Sequence, residues 1–345
     1  MERAWIALAL TPGVGPRRLL RVLEGGEAGP AAVTRLLGPE LAERYRRVLA
    51  AGEAERLLET AARLGARVSG PWDPGYPEGL RHLPDPPAPL FLRGEPPPWS
   101  RAVAVVGTRA ASPWARGFAR DLGAALAAAG LALVSGLARG IDAAAHRGIL
   151  EAGGESVAVL GSALDRVYPR EHGDLAKRSV LVSEFPFGEG PRPEHFPRRN
   201  RLIAALARAV VVVEAPERSG ALITARHGLE LGREVLAVPG RPTDPKSRGT
   251  NLLIKDGAAP VLSPRELLEL LGLAPAATPA PAVLPERLAP LHRALAELGE
   301  ALPDDLAAAT GWAAAGVLAA LAELELLGLA EALPGGRYRA VGRAE

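Results

Sequence analysis

The fold is decided by residues 103–136, VAVVGTRAASPWARGFARDLGAALAAAGLALVSG, in which two short apolar runs enclose a helical pattern. The runs 103–106 and 131–134 have the composition of buried strands. Ser112 is a natural helix N-cap and Pro113 suits the first helical position, so a helix is predicted between the strands. This strand-helix-strand unit is typical of a parallel sheet wrapped by helices.

The same alternation continues for about 160 residues, which predicts an α/β fold for the centre of the chain. Strands are predicted at 103–106, 131–134, 156–160, 179–182, 209–214, 234–238 and 259–262. Such sheets bind ligands beyond the carboxyl ends of their strands. The residues that follow each strand are therefore the first candidates for a site.

The flanking segments predict further domains. Residues 1–70 are predicted to be helical, and LTPGVGP at 10–16 is similar to a helix-hairpin-helix turn, although a plain tight turn between packed helices explains it equally well. Residues 71–100 are proline-rich and are expected to form an extended segment that lies on the α/β sheet. Together with that sheet they make up a predicted domain of residues 71–272. Residues 273–285 are a predicted linker. Residues 286–345 show three helical patterns and a hairpin, as in a winged helix.

Composition limits the possible functions. The 345 residues are 48% hydrophobic and include no cysteine, which excludes disulfides and thiolate metal sites. No signal peptide or membrane helix is predicted, so a cytoplasmic location is expected. Residues 101–260 hold 22 Lys and Arg against 16 Asp and Glu, whereas 286–345 hold 5 against 9. Any nucleic-acid interface is therefore expected in the central part of the chain.

Small residues follow the predicted strands and could cradle phosphates. Gly107-Thr108-Arg109 follows the first strand, Ser135-Gly136 the second and Ser219-Gly220 the fifth, while Arg139 and Arg147 add positive charge at the same edge. A dinucleotide site is disfavoured because GTRAAS is not a G-x-G-x-x-G motif, and no Walker A motif is present. The serines could instead serve only tight turns.

Three arginines crowd the start of a predicted helix in FPRRNR, 196–201. Arg198, Arg199 and Arg201 worsen the positive charge of a helix N-terminus, so a negative group is expected there. Arginine binds phosphate bidentately, and Phe196 could stack on a base. The alternatives are a solvated helix end, a core role for Phe196 and a helix-capping role for Asn200.

Asp142 and His146 lie four residues apart on one predicted helix face. This spacing permits a metal site, but no third ligand is apparent, so a local ion pair or buried hydrogen bond is the favoured interpretation. Neither a metal nor a cofactor is predicted.

The ordered motifs VAVVGTRAAS, LVSGLARGIDAAAHRG, VAVLGSALDRVYP, FPRRNRLIAALARAVVVVEAPERSGALITARHGLELGREVLAVPG and GTNLLIKDGA resemble those of the DprA/Smf DNA-processing family, over about residues 70–262. The resemblance implies an extended Rossmann-like core, an N-terminal helical (SAM or helix-hairpin-helix-like) domain and a C-terminal winged helix. It also implies a homodimeric recombination mediator of natural transformation, which binds incoming single-stranded DNA and loads the RecA recombinase.

The resemblance also assigns residues to a DNA pocket. Matched position by position, these are Arg109, Ser135, Gly136, Arg147, Phe196, Arg198, Arg199, Asn200 and Arg201. The strand-end argument adds Arg139, Ser219 and Gly220. The family often has lysine where Arg147 stands, which keeps the charge and changes its geometry.

Catalysis is not predicted, because the acidic residues near strand ends, Glu184 and Glu214, occur singly. The alternative is a nucleotide-processing enzyme on the same sheet, of the lysine-decarboxylase-like phosphoribohydrolase type, although its Pro-Gly-Gly-x-Gly-Thr motif is absent. The terminal module is expected to bind protein rather than DNA, because its third helix presents Glu323 and Glu325 and no cation.

Overall fold

The computed structural model describes residues 2–273, 284–333 and 335–340, so residues 274–283 of the predicted linker at 273–285 lie outside the described residues. The chain forms two compact units that divide between residues 274 and 275. Each unit has its own hydrophobic core.

The first unit begins with five short helices. They are α1 (Glu2–Leu10), α2 (Pro16–Glu24), α3 (Pro30–Leu37), α4 (Pro39–Ala50) and α5 (Glu53–Arg63). Proline occupies the first turn of α2, α3 and α4, where its missing N–H costs no hydrogen bond. The prediction of helix as far as residue 70 is wrong at its end, because Ala66–Ser69 form a strand, β1, that pairs with the central sheet.

The proline-rich segment 71–100 takes part in the sheet rather than only lying on it. After the single-turn helix α6 (Glu78–Arg81), the strand β2 (Leu90–Arg93) pairs antiparallel with β1, and the segment ends in a 3-10 turn at Trp99–Arg101. Trp72 stacks on Trp5 of α1, with ring centroids 6.1 Å apart. The N-terminal helices thus share one core with the α/β domain, and a domain boundary near residue 70 stays a prediction.

All seven predicted strands of the central domain are present, alternating with helices. In chain order the elements are β3 (Ala102–Val106), α7 (Pro113–Ala128), β4 (Ala132–Ser135), α8 (Ile141–Glu151), β5 (Ser156–Val159), α9 (Gly173–Lys177), β6 (Val180–Ser183), α10 (His195–Ala205), β7 (Ala209–Val212), α11 (Gly220–Glu230), β8 (Glu234–Ala237), α12 (Arg248–Lys255), β9 (Ala259–Pro260) and α13 (Pro264–Leu270). Ser112 caps α7 as predicted, since its Oγ accepts the Ala115 N–H at 3.1 Å.

The sheet has nine strands in the order β1-β2-β6-β5-β4-β3-β7-β8-β9. From β6 to β9 all neighbours are parallel, and β2 joins β6 antiparallel. The chain runs outward from β3 through β6 and then returns to place β7 on the other side of β3. The crevice between the ends of β3 and β7 is therefore the topological switch point, where open α/β sheets bind ligands.

Both faces of the sheet are covered by helices, so the strands are apolar on both sides. Along β3, Val103 and Val105 belong to the core on the α7 and α8 face, whereas Ala104 and Val106 belong to the core on the α10 and α11 face. Helices α7 and α8 approach closely at two glycines. A Cβ on Gly123 would lie 2.4 Å from the Ala145 carbonyl oxygen, and one on Gly148 would lie 1.9 Å from that of Arg120.

The second unit is a winged helix, as predicted. After a 3-10 turn at Glu286–Leu288 it contains α14 (Ala289–Leu298), β10 (Glu300–Ala301), α15 (Pro303–Thr310), α16 (Ala314–Leu326), β11 (Ala330–Leu333) and β12 (Arg337–Ala340). The strands form a small antiparallel sheet. No single helix in the described part of the chain is long and apolar enough to span a membrane, although α15 and α16, bent by 110°, meet that criterion as a pair by length and composition.

Candidate functional site

A pocket with a volume of about 780 Å³ opens at the switch point. Its walls come from the segments that follow β3 and β7, from the start of α11 and from one face of α10. The residues most relevant to binding are Thr108, Arg109, Asp142, Tyr168, Phe196, Arg199, Asn200, Arg218, Ser219, Gly220 and Thr224. The structure thus brings together residues from four separate sequence motifs.

The mouth of the pocket carries a cation and two aromatic rings. The Arg109 guanidinium carbon lies 4.7 Å from the centroid of the Phe196 ring, and Tyr168 lies 5.9 Å from Phe196, centroid to centroid. Phe196 is half-buried, with its inner edge against Gly161. Tyr168 is 41% exposed. The Arg109 guanidinium therefore lies over the Phe196 ring, and Tyr168 is the more exposed aromatic surface of the cluster.

Arg199 lines the pocket but is only 3% exposed. Its guanidinium donates to the carbonyl oxygens of Gly136, at 2.9 Å, and Val159. Burial lowers the pKa of Arg199 to about 10, which still leaves it charged at neutral pH. The side chain therefore connects α10 to the ends of β4 and β5 through hydrogen bonds, which is a structural role.

The Ser135-Gly136 loop is held from within the protein. The Asp142 carboxylate accepts the N–H groups of Gly136, at 3.1 Å, and Ala138, at 3.4 Å, so these donors already have an acceptor. The Ser135 hydroxyl is buried and donates to the Val105 carbonyl at 2.6 Å. Burial raises the pKa of Asp142, while Arg199 opposes that rise. Ser135 and Gly136 thus serve a turn rather than an exposed phosphate cradle, and Gly136 lines a smaller pocket together with Arg109, Arg139 and Tyr168.

Arg198 and Arg201 point away from this pocket. Both donate to the Glu184 carboxylate, at 3.0 Å and 2.6 Å, and Arg201 also donates to the Asp85 carbonyl at 2.9 Å. The negative group expected near these arginines is therefore present within the chain. Burial raises the pKa of Glu184, and its two arginine partners oppose the rise. These side chains line a separate small pocket beside the start of α2.

The start of α11 faces the main pocket. Ser219 is its N-cap, with Oγ accepting the Ala221 N–H at 3.3 Å, and Gly220 is exposed. Asn200 does not cap α10, because it lies inside that helix; its Nδ2 donates to the Gly220 carbonyl at 3.1 Å. Arg218 is exposed beside this helix start. The arrangement suits an anion, since helix N-termini present free N–H groups and partial positive charge.

Arg139 and Arg147 do not line the main pocket. Arg139 lies at the mouth of a smaller adjoining pocket with Tyr168, where its Nε donates to Glu171 at 2.6 Å. Arg147 is exposed on α8 and lines neither pocket. Tyr168, Arg218 and Thr224 belong to the pocket but were not predicted as site residues, whereas Thr108 was predicted as part of the turn after the first strand. The Tyr168-Pro169 pair after the third predicted strand and the motif around Arg218 were the signals that could have identified them.

His146 is fully buried and forms a hydrogen bond through Nδ1 to the Ser156 hydroxyl at 2.7 Å. The structure thus gives His146 a buried hydrogen bond, one of the two favoured interpretations, with Ser156 as the partner. Burial lowers the pKa of His146 to about 3, and the nearby charges of His172 and Arg199 act in the same direction. In the part of the chain that the structure describes, no group of three or more His, Cys, Asp and Glu side chains is placed to hold a metal ion.

Comparison with known proteins identifies the family. The family model for DNA recombination-mediator protein A matches residues 67–272, and the model for the DprA winged helix domain matches residues 274–336. The chain belongs to the DNA recombination-mediator protein A (DprA) family. The predicted resemblance is thereby confirmed over both units.

Individual relatives agree with this membership. Protein Smf of Escherichia coli is 42% identical over 279 residues, which cover 76% of this chain and 75% of that protein. DNA processing protein A of Streptococcus pneumoniae is similar in structure, with a TM-score of 0.69 at 34% identity over 78% of this chain and 98% of that one. The DprA of Helicobacter pylori, solved to show its single-stranded DNA binding mode, matches with a TM-score of 0.54 at 26% identity over 60% and 95% of the two chains.

Proposed function

We propose that this DprA family member binds single-stranded DNA in the switch-point pocket and acts as a recombination mediator. The observation that carries the proposal is the cluster of Arg109, Phe196 and Tyr168 at the pocket mouth, with the α11 N-terminus inside. Aromatic faces stack on any base, while cations and helix N-termini bind phosphates. The single-stranded DNA bound by the Helicobacter pylori relative supports the same ligand here.

The proposed contacts divide between the phosphates and the bases of the strand. Arg109 and Arg218 are exposed and form no ion pair with a described carboxylate, so they are free to bind phosphates. Phe196 and Tyr168 offer the stacking surface. Asn200, Ser135, Gly136 and Arg199 hold the loops in place from below. Arg198, Arg201 and Arg147 are not assigned a direct contact in this proposal, because none of them lines the pocket.

We further propose that the protein holds DNA without cutting it. The pocket contains one carboxylate, Asp142, which is buried and engaged by two backbone N–H groups. Glu214, the other acidic residue at these strand ends, accepts the Ser112 N–H at 2.8 Å and is also buried. Both carboxylates thus serve the loops, which supports a binding role over hydrolysis.

The proposed role includes loading of the RecA recombinase by a homodimer, as the family resemblance implies. Leu229 and Leu262 are 60% and 65% exposed on the first unit, and the dimer itself is proposed from the resemblance alone. RecA and chromosomal DNA lie in the cytoplasm, so the proposed function places the protein there. Sedimentation at several protein concentrations tests the dimer, and a monomer at all of them contradicts it.

The binding site is tested by fluorescence anisotropy with oligothymidine. Phe196→Ala is expected to weaken binding by about 1–3 kcal/mol, the loss of one stacked base. Arg109→Ala is expected to weaken binding and to reduce the slope of log K against log salt by about 0.7, the loss of one phosphate contact. Arg35→Ala is the control, because it removes an exposed arginine from α3, outside the pocket. Unchanged affinity in both pocket variants would refute the site.

A further inference from the structure

The first turn of α7 carries an exposed aromatic side chain that the core does not explain. Trp114 is 57% exposed, whereas the other four tryptophans of the chain are buried or half-buried. Its ring stacks on that of Phe118, one turn along the helix, with centroids 5.5 Å apart and 22° between the planes. Phe118 is half-buried and packs against the core of the first unit. The indole is therefore held from one side and open to solvent on the other.

Trp114 lies at the same edge of the sheet as the switch-point pocket. Gly107, Thr108 and Arg109 follow β3 and line the pocket, and Trp114 comes five residues after Arg109. Five residues of chain span at most about 18 Å, so the indole lies within reach of a strand of several nucleotides that starts in the pocket. The intervening loop is fixed, because the Ser112 N–H donates to the buried Glu214 carboxylate at 2.8 Å.

The surface around Trp114 is cationic. Residues 107–120 contain three arginines and no acidic residue, and the first acidic residue of α7, Asp121, comes two turns after Trp114. Arg116 is exposed and donates to the Ala111 carbonyl at 2.5 Å, a neutral acceptor that leaves its charge uncompensated. Arg120 forms an ion pair with Glu151. The N-terminus of α7 adds partial positive charge. A polyanion is therefore attracted to this surface.

The helix surface beside the indole is also open. Gly117, one turn from Trp114, is exposed, and a Cβ at that position would meet no atom within 4 Å. Trp114 is the only large apolar side chain of α7 that is exposed. Protein partners usually dock on a contiguous apolar patch of several hundred Å², which one ring does not supply. A single flat ring among cations suits a base of single-stranded DNA, since base stacking and backbone attraction act together in such sites.

We propose that Trp114 stacks on a base of the single strand where the strand leaves the switch-point pocket, with Arg116 beside it to bind a phosphate. The DNA path then continues from Arg109 over the start of α7. The proposal rests on the proposed function, because it requires DNA in the pocket. It assigns a base contact to a residue outside the pocket, so loss of the indole should lower affinity without changing the salt dependence.

The test is anisotropy titration of the full-length protein with an oligothymidine of about 15 nucleotides and with an abasic deoxyribose-phosphate strand of the same length. Trp114→Ala is expected to bind oligothymidine about tenfold more weakly, the loss of one stacked base, with an unchanged salt slope. Trp114→Phe should retain most of the affinity. On the abasic strand Trp114→Ala should equal the wild type. Leu298→Ala, which removes a side chain that is 50% exposed in the second unit, is the control.

Arg116 is tested in the same titrations. Arg116→Ala is expected to reduce the salt slope by about 0.7, the value for one phosphate contact, on both strands. A second readout is acrylamide quenching of tryptophan fluorescence. Bound oligothymidine should protect the wild type, in which Trp114 is the exposed indole, and should have little effect on Trp114→Phe.

Three results would overturn the stacking role of Trp114. They are wild-type affinity for oligothymidine in Trp114→Ala, an equal loss on the thymidine and abasic strands, and binding by Trp114→Phe that is as weak as that of Trp114→Ala. The equal loss would show that the indole serves the fold of the loop instead. The proposed function fails separately, if the wild type does not bind oligothymidine or if Arg109→Ala and Phe196→Ala both bind as the wild type does.

Discussion

Arg199 and Arg201 show how neighbouring residues on one helix serve different surfaces. Their positions differ by about 200° around the axis of α10, so Arg199 faces the pocket while Arg201 and Arg198, three residues apart, share Glu184. The sequence predicted the cluster of charge and the need for a negative partner. It did not reveal that the partner is Glu184, because this contact joins separate motifs. Helical periodicity alone could have predicted that Arg199 lies on a different face of α10 from Arg198 and Arg201.

The buried His146 makes stability depend on pH. Its pKa is lowered to about 3 in the folded protein, so between about pH 3 and 6.5 the unfolded state binds more protons. The contribution of the neutral His146 to the free energy of unfolding is fully present above pH 6.5 and is lost as the pH falls. Between pH 8 and pH 5 the free energy of unfolding should drop by about 2 kcal/mol on this account.

The measurement is urea unfolding at both pH values for the wild type and His146→Asn, whose amide retains a partner for Ser156 but does not titrate. The variant should lose about 2 kcal/mol less than the wild type between the two pH values. An equal loss in both proteins would mean that His146 does not cause the dependence.

The ion pair of Arg139 and Glu171 should restrain a cation near the pocket mouth. Both side chains are about half exposed, and the hydrogen bond from Arg139 lowers the pKa of Glu171. Glu171→Gln removes the competing charge, so oligothymidine binding at low salt is expected to tighten several-fold and the gain to fade at high salt. Glu171→Gln in an Arg139→Ala background is the control. A gain of the same size there would show that Arg139 is not involved.

At the scale of elements, the seven parallel strands and the cap at Ser112 were predictable because apolar runs alternate with helical patterns. Strands β1 and β2 were not. Strand β1 follows α5 directly and β2 follows the proline-rich 84–89 stretch, so neither lies between two helical patterns as the predicted strands do. Their pairing is long-range, and it was decided by the sheet edge that they cover rather than by local sequence.

The packing of α7 on α8 depends on glycine, which gives a prediction with an internal control. Gly148→Ala places a methyl group against the Arg120 carbonyl and should cost about 1–3 kcal/mol of stability through overpacking. Gly117→Ala, on the exposed side of α7 with no atom within 4 Å of its Cβ position, should instead stabilise by about 0.5–1 kcal/mol. Thermal unfolding distinguishes the two. A neutral Gly148→Ala would mean that the helices can separate freely.

At the scale of the whole molecule, three domains were predicted, and of these the α/β domain and the winged helix have the predicted folds, whereas the boundary near residue 70 stays a prediction. The strand order was not predicted, because local pattern does not say on which side of β3 the chain returns. That return creates the switch point and so the pocket. The return of the chain from β6 to β7, which creates the pocket, was therefore the part of the sheet topology that the sequence could not predict.

The winged helix is expected to contribute little to DNA affinity. Helix α16 carries no cation, and its Glu323 forms an exposed pair with Arg287. A fragment of residues 1–273 should bind oligothymidine with an affinity and salt slope close to those of the full chain, and residues 284–345 should not bind duplex DNA measurably. Anisotropy with each fragment tests this. Duplex binding by 284–345 that weakens steeply with salt would assign DNA contacts to the winged helix.

The close approach of α7 and α8 has a consequence for the pocket. Helix α7 begins just after the loop that carries Arg109, and α8 begins with the turn that carries Asp142. Gly123 and Gly148, about 10–15 Å further along these helices, set how near their axes lie. The distance between these two helices thus depends on two hydrogen atoms, at positions where any other residue would place a Cβ carbon against a backbone carbonyl. A substitution at either glycine is therefore expected to shift the segments at the helix starts while every residue that lines the pocket stays unchanged.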